Sequence, residues 1–347
     1  MNEQNKTLSF EASYTLDVIS LLDLLFSGEM GEDTELIRYF EEQLSENCEV
    51  SLNKVRNTLP KGESIGSTLI PLIATDSEFN DLRLSELLQS PKYLVTQLKK
   101  QTTEKQFSKS YKKFLTKDLE KVFEQLSLVI AELERCKFKN FWLETRLPLI
   151  NDQIKRYDKE SQPLNVIEIL NQSLTPQHIE KRIIYVVSFD LLDLKSIQLF
   201  NEDVVVSIKL STKQAVECLT EQLLQPISIH KRLKARVRTL KHDKVLLNAL
   251  KQVKEEYKDL GTYLEANVKL AYQMYLNDQL HLCDQPYQYL GRYQFGKYKL
   301  STLFYHYMQT HPKLNSKSIT DYLIEVVEQV ELDQFDQRYM SIMSRTL

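Results

Sequence analysis

Residues 204–226 read VVVSIKLSTKQAVECLTEQLLQP, and within this stretch a strand pattern gives way to a helix pattern. The run Val204-Val205-Val206-Ser207-Ile208 is rich in β-branched residues, which is typical of a strand. The tetrapeptide Ser211-Thr212-Lys213-Gln214 has the S-x-x-Q form of a capping box, and Pro226 cannot continue a helix. The stretch therefore predicts a strand followed directly by a helix over about residues 212–225.

Two further strand patterns lie just before this stretch. Residues 183–187 are a β-branched run, and residues 195–200 alternate between apolar and polar side chains. Together with residues 204–208 they predict a small mixed sheet near the middle of the chain.

The chain before residue 160 has helical periodicity. Apolar residues recur there at spacings of three and four, as they do on the buried face of a helix, and residues 103–149 continue this pattern in one long run. We therefore predict a helical domain over residues 1–160.

Helical patterns return after the strands. One runs from about residue 229 to residue 280, with Gly261 as its expected break, and a tyrosine-rich connection at residues 286–298 leads to two or three terminal helices. The fold class predicted is mainly α (α+β). The helical domain of residues 1–160 is followed by an α+β domain, residues 161–347, with the small mixed sheet, long helices and a helical C-terminus.

Composition excludes several classes of protein. The 347 residues include only 7 glycines and 9 prolines, which disfavours architectures built from many tight hairpins. With 45 basic and 48 acidic residues, the formal charge of −3 provides no overall positive field for nucleic acid or an anionic membrane. Any such partner would have to bind a local patch.

The distribution of cysteine and apolar residues bears on the compartment. The four cysteines are far apart in sequence and form no C-x-x-C pair, which is typical of reduced thiols. The polar first residues are unlike a signal peptide, and no window approaches 18 uninterrupted apolar residues. We therefore expect a cytoplasmic protein without a membrane span.

The predicted helix at 212–225 contains one pattern related to catalysis. In zinc peptidases, H-E-x-x-H places two histidines on one helix face, and the glutamate between them polarises the zinc-bound water. Here Thr220 and Leu224 occupy the two histidine positions and Glu221 occupies the glutamate position. Glu265 follows 44 residues later, within Tyr263-Leu264-Glu265-Ala266-Asn267.

This order of elements resembles the gluzincin metallopeptidases over about residues 180–310. The resemblance implies that Glu221 is a relict general base, that Thr220, Leu224 and Glu265 are relict metal positions, and that Tyr293 and Tyr298 flank a cleft. Neither threonine nor leucine replaces imidazole, and a catalytic zinc needs three protein ligands. The resemblance therefore implies a pseudo-peptidase without bound metal or other cofactor, which acts as a peptide-binding, protein-binding or regulatory module.

Three alternatives to the pseudo-peptidase interpretation stay open, and two of them concern this helix and the histidines. Gln214, Glu217, Glu221 and Gln225 follow one another at spacings of three and four, which also describes the solvated face of an ordinary amphipathic helix. An active hydrolase with a non-standard site, using histidines from residues 281–311, is the other alternative. No H-x-x-x-H pair occurs, and His306 and His311 are five apart, a spacing that does not share a helical face.

The cluster His281-Leu282-Cys283-Asp284 brings ligand-type side chains together in sequence. Such a cluster either binds a metal or caps the C-terminus of a helix, where the negative end of the helix dipole favours a histidine side chain.

Residues 230–244 read HKRLKARVRTLKHDK and predict a basic amphipathic helix. Such a face is either simply solvated or binds an acidic partner, including acidic stretches of the same chain such as residues 32–46. A scaffold or nucleic-acid-binding role is the remaining alternative, although no aromatic interleaving accompanies the charges and a peptide or protein partner is favoured. The candidate binding residues are Lys231, Arg232, Lys234, Arg236, Arg238 and Lys241.

Overall fold

Helices and one small sheet make up most of the computed structural model, which confirms the mainly α (α+β) class. The structure describes residues 7–27, 34–59, 118–173, 181–189, 196–198, 203–222, 230–253, 259–292, 299–313, 317–332 and 334–346, and positions 88, 90, 92, 96, 227, 228 and 257. No helix in these ranges is both long enough and apolar enough to span a membrane.

The chain forms two compact units, each made of several segments. The N-terminal unit comprises residues 9–160 and 183–215, and the C-terminal unit comprises residues 1–8, 161–182 and 216–347. The sequence pattern also placed a boundary at 160/161, but it assigned the strands to the second domain. In the structure the strands belong with the N-terminal helices, because a strand close to the N-terminus joins their sheet.

Among the described residues, the sheet contains β1 (Thr7–Ala12), β2 (Lys181–Val187), β3 (Ser196–Gln198) and β4 (Val204–Ser207). Their order across the sheet is β1-β2-β4-β3. Strand β4 pairs in parallel with β2, with Ile184 opposite Val204, and antiparallel with β3. All four residues of β4 are buried, as expected of an internal strand covered on both faces. The three predicted strands and the mixed sheet are confirmed, whereas β1 was missed.

The N-terminal unit contains one helix, α1 (Tyr14–Ser27), that is buried along most of its length. Residues Thr15 to Leu25 of this helix are all buried. The helices whose bounds the structure describes in this unit are α1 (Tyr14–Ser27), α2 (Thr34–Gln43), α3 (Glu46–Thr58), α4 (Leu119–Arg135), α5 (Phe138–Phe141) and α6 (Leu147–Ser161). A π-helical turn, Trp142–Arg146, joins α5 to α6.

The long helix predicted over residues 103–149 is interrupted in the structure. Helix α4 ends at Arg135, and Lys137 then adopts a φ of 56°, in the left-handed region, before α5 begins. No glycine or proline marks this break. Residues 101–117 lie outside the described part of the chain.

The C-terminal unit is built on the long helix α11 (Leu260–Gln279), which packs against α13 (Lys299–Thr310) and α14 (Ile319–Gln329). The other helices from residue 166 onward are α7 (Val166–Ser173), α8 (Thr212–Gln222), α9 (Lys231–Leu240), α10 (Lys244–Gln252), α12 (Pro286–Arg292), α13 (Lys299–Thr310), α14 (Ile319–Gln329) and α15 (Phe335–Thr346). Helix α8 begins in the N-terminal unit and continues into the C-terminal one.

The predicted helix over residues 229–280 is three helices, α9, α10 and α11. Asp243 caps α10 by accepting hydrogen bonds from the backbone N–H groups of Val245 and Leu246, and Asp259 caps α11 in the same manner. Gly261 therefore lies inside α11 and is not the break. The tyrosine-rich connection is also partly helical, as α12.

Candidate functional site

Helix α8 starts at the predicted capping box. The Ser211 backbone N–H donates to Oε1 of Gln214 at 2.9 Å, and the Gln214 backbone N–H donates to Oγ of Ser211 at 3.3 Å. This reciprocal pair satisfies two backbone donors that a helix start leaves without partners. The predicted start of the helix is therefore confirmed.

Thr220, at the first relict metal position, is completely buried, and its hydroxyl donates to the backbone oxygen of Glu217 at 2.8 Å. Glu221 lies in α8, but its side chain is outside the described part of the chain, as is all of Leu224. The metal and general-base roles of positions 221 and 224 stay predictions.

Glu265, the expected third ligand, has both carboxylate oxygens occupied by groups of the protein. Oε1 lies 2.7 Å from Nζ of Lys269, one helical turn further along α11. Oε2 accepts the backbone N–H of Ser228 at 2.7 Å. Burial alone would raise the pKa of this carboxyl, but the hydrogen bonds from Lys269 and Ser228 outweigh burial and lower it. Glu265 thus connects Ser228, which precedes α9, to α11. Its role as a metal ligand stays a prediction.

Tyr293 and Tyr298, the expected cleft tyrosines, lie outside the described residues.

The cluster at residues 281–284 terminates α11. His281 has a φ of 54°, its backbone N–H donates to the Asp278 oxygen, and the Leu282 N–H donates to the Asn277 oxygen. These two bonds form a Schellman motif, with histidine where glycine is commonest. The capping interpretation of the cluster is therefore confirmed. Among the described residues, no group of three or more His, Cys, Asp or Glu side chains could hold a metal ion.

The six basic residues predicted as one patch fall into two groups. Arg232 forms an ion pair with Glu328 on α14 and lies 3.5 Å from Oδ1 of Asp321. Arg236 donates to the backbone oxygens of Val327 and Val330 at 3.2 Å each. These two arginines attach α9 to α14, so their side chains already have partners within the C-terminal unit.

The other four basic residues form a single exposed stripe. Lys231, Lys234, Arg238 and Lys241 follow one another at spacings of three, four and three, which places them on one side of α9. Their side chains make no ion pair or hydrogen bond with any residue that the structure describes. We call these four residues the basic stripe.

A groove in the C-terminal unit was not predicted from the sequence. It has a volume of about 450 Å³ and lies between α13, the end of α14 and α15. Both His306 and His311 line it, although the sequence spacing argued against a shared face. They meet because α13 ends at Thr310, so His311 follows the last helical residue. Arg338 and Glu331 also line the groove, and no motif in the sequence marks either of them.

Comparison of the chain with family models, curated proteins and solved structures finds no match in any of the three.

Proposed function

We propose that this protein is a non-catalytic binding module that recognises an acidic polypeptide through the basic stripe of α9. The observation that carries the proposal is the division of the six basic residues. Arg232 and Arg236 attach α9 to α14, whereas the four residues of the basic stripe make no ion pair or hydrogen bond with any described residue.

The length and spacing of the stripe suit an acidic helix or extended acidic segment. Ten helical residues span about 15 Å, and side chains three or four positions apart are about 5–6 Å from one another. A partner with carboxylates at matching intervals would meet each cation in turn. An exposed lysine or arginine loses little solvation free energy when a carboxylate replaces part of its water. The interaction would therefore be sensitive to salt and selective for the charge pattern of the partner.

The narrow shape of the stripe favours a polypeptide over nucleic acid. A duplex presents a wide field of phosphates, whereas a single acidic segment can follow one row of cations. The absence of aromatic side chains from Lys231–Leu240 also gives nucleobases no surface for stacking.

The non-catalytic part of the proposal rests on Glu265. Its two carboxylate oxygens bind Lys269 and Ser228, so a metal would have to displace both partners. The resemblance to gluzincins remains a hypothesis beside this one, and both interpretations predict binding without hydrolysis.

The test compares two charge-reversed variants of the full chain. The probe is a fluorescent helical peptide of about 14 residues with glutamates at spacings of three and four, titrated at about 0.1 M salt. Lys234→Glu with Arg238→Glu should weaken binding at least about tenfold. Lys244→Glu with Lys251→Glu, which makes the same change of charge on exposed positions of α10, is the matched control and should leave affinity within about twofold.

Two outcomes would overturn the proposal. Equal losses of peptide affinity in both variants would mean that binding depends only on the net charge of the protein and not on the position of the basic stripe. Tighter binding of a DNA duplex than of the peptide, with loss in the stripe variant alone, would assign the stripe to nucleic acid instead.

A further inference from the structure

The groove of the C-terminal unit combines an aliphatic floor with a polar rim. Leu303 and Val330 are buried and form the floor together with Ile342. Its volume of about 450 Å³ falls within the range of small-molecule sites in proteins. The groove shares no residue with the basic stripe, so a ligand site there is independent of the proposed function.

His306 contributes a hydrogen-bond donor to the rim. Its Nδ1 lies 2.9 Å from the hydroxyl of Tyr287. Burial raises the pKa of Tyr287, so the phenol keeps its proton and can donate it to Nδ1. Burial, aided by the charge of Arg345, lowers the pKa of His306, which favours the uncharged ring. We therefore assign the ring proton of His306 to Nε2.

His311 contributes an acceptor. Its Nδ1 lies 2.9 Å from Oγ1 of Thr310 and 3.2 Å from the backbone oxygen of Tyr307. The Thr310 hydroxyl donates its own proton to that same backbone oxygen, and a carbonyl can only accept. We therefore assign the ring proton of His311 to Nδ1, which can donate to the Tyr307 oxygen, and Nε2 is then the acceptor. The Tyr307 ring stacks on the imidazole, with 4.2 Å between ring centroids, and fixes its orientation.

The rim also carries one positive and one negative side chain. Arg338 and Glu331 form an ion pair and are 43% and 68% exposed. Exposed pairs of this kind contribute at most about 1 kcal/mol, so a ligand can separate them at little cost. A ligand with a single charge would bind one of the two side chains and displace the other from this ion pair. A ligand with both charges would satisfy both.

We propose that the groove binds a small zwitterion with an aliphatic substituent, of the size of an amino acid or a dipeptide. The carboxylate accepts hydrogen bonds from Arg338 and from Nε2 of His306. The ammonium group donates to Glu331 and to Nε2 of His311. The aliphatic part covers Leu303, Val330 and Ile342.

The test uses three ligands that differ only in charge, added to the full chain. L-leucine carries both charges, N-acetyl-leucine carries only the carboxylate and leucinamide carries only the ammonium group. Binding is followed by NMR from the imidazole resonances of His306 and His311. L-leucine should shift both resonances saturably in the millimolar range or below, and each single-charge analogue should bind at least about tenfold more weakly.

Variants locate the two charges. Arg338→Gln and Glu331→Gln should each weaken leucine binding about tenfold. Arg156→Gln removes an arginine from an exposed position of α6, outside both sites, and is the matched control, with affinity unchanged. Circular dichroism of each variant checks that it remains folded, and the ligand series stands without the variants.

Three results would overturn the proposal. They are binding of N-acetyl-leucine as tight as that of leucine, no saturable shift up to about 10 mM ligand, and wild-type affinity in both groove variants.

Discussion

Asp17 is a carboxylate buried among apolar side chains in α1. Oδ1 accepts the backbone N–H of Ser188 at 2.6 Å, and Oδ2 accepts the Ser188 hydroxyl at 2.7 Å and the indole N–H of Trp142. Burial raises the pKa of Asp17 to about 6, although these hydrogen bonds oppose the rise. The residue thus connects α1 to the π-helical turn and to the end of β2, and it ionises at an unusually high pH.

This pKa predicts a pH dependence of stability. The folded protein binds the Asp17 proton more tightly than the unfolded chain, so its contribution to the free energy of unfolding is full below about pH 4 and falls as the pH rises through 6. Asp17→Asn cannot ionise and should lose this dependence. Urea denaturation gives the free energy of unfolding of wild type and of Asp17→Asn at each pH. Between pH 4.5 and pH 7, the value for wild type should fall by about 2 kcal/mol relative to that of Asp17→Asn.

The control for this prediction is Asp152→Asn, the same change at an exposed residue of α6. The difference between wild type and this control should not vary over that pH interval. A constant difference for Asp17→Asn as well would show that Asp17 keeps one protonation state throughout.

Glu265 allows a second prediction at the residue scale, which concerns metal. Because its oxygens bind Lys269 and Ser228, Glu265→Gln should lower the free energy of unfolding by about 1–2 kcal/mol. The loss should be equal in the presence of a chelator and in the presence of added zinc. Thermal melts under the two conditions measure it, and stabilisation of wild type alone by zinc would instead support the metal-ligand hypothesis.

At the scale of elements, α9 depends on Arg236 for its attachment. The guanidinium donates to two backbone oxygens at the end of α14, which the helix itself leaves without partners. Arg236→Gln should therefore lower the free energy of unfolding by about 1–2 kcal/mol. Arg238→Gln, two positions along the same helix, should change it by less than about 0.5 kcal/mol because Arg238 is exposed. Equal effects in chemical denaturation would contradict the division of the patch.

Local sequence signals predicted some elements and missed others for identifiable reasons. The capping box at Ser211 and the β-branched runs are strong signals, and the structure has a helix start and strands there. The breaks at Asp243 and Asp259 were missed because apolar spacing continues across them, although aspartate before an apolar run is a recognised cap. Lys137 gives no signal, since lysine rarely adopts a positive φ. The groove was not predictable, because it depends on how three separate helices pack.

At the scale of the whole molecule, residues 183–215 belong to the N-terminal unit although they follow a segment of the C-terminal unit in the sequence. Each unit is discontinuous, and the strands following residue 182 complete the fold of a unit that begins near the N-terminus. Tyr157 shows the dependence directly, because its hydroxyl donates to the backbone oxygen of Leu210 at 2.6 Å. Asp17 likewise needs Ser188, and β1 needs β2 as its neighbour. A domain boundary at residue 160 would cut all three connections.

Two fragments therefore distinguish the structural division from the sequence boundary. Fragment 1–215 retains all of the N-terminal unit and should unfold in one cooperative thermal transition with a near-ultraviolet dichroism spectrum. Fragment 1–160 keeps the helices but lacks Ser188, Leu210 and β2, so Asp17 and Tyr157 lose their hydrogen bonds to Ser188 and Leu210, and β1 loses its neighbouring strand. Because each buried group left unpaired costs about 1–3 kcal/mol and whole domains are stable by only about 5–15 kcal/mol, fragment 1–160 should lack a cooperative transition. Equal melting temperatures for the two fragments would show that residues 183–215 are dispensable to the N-terminal unit.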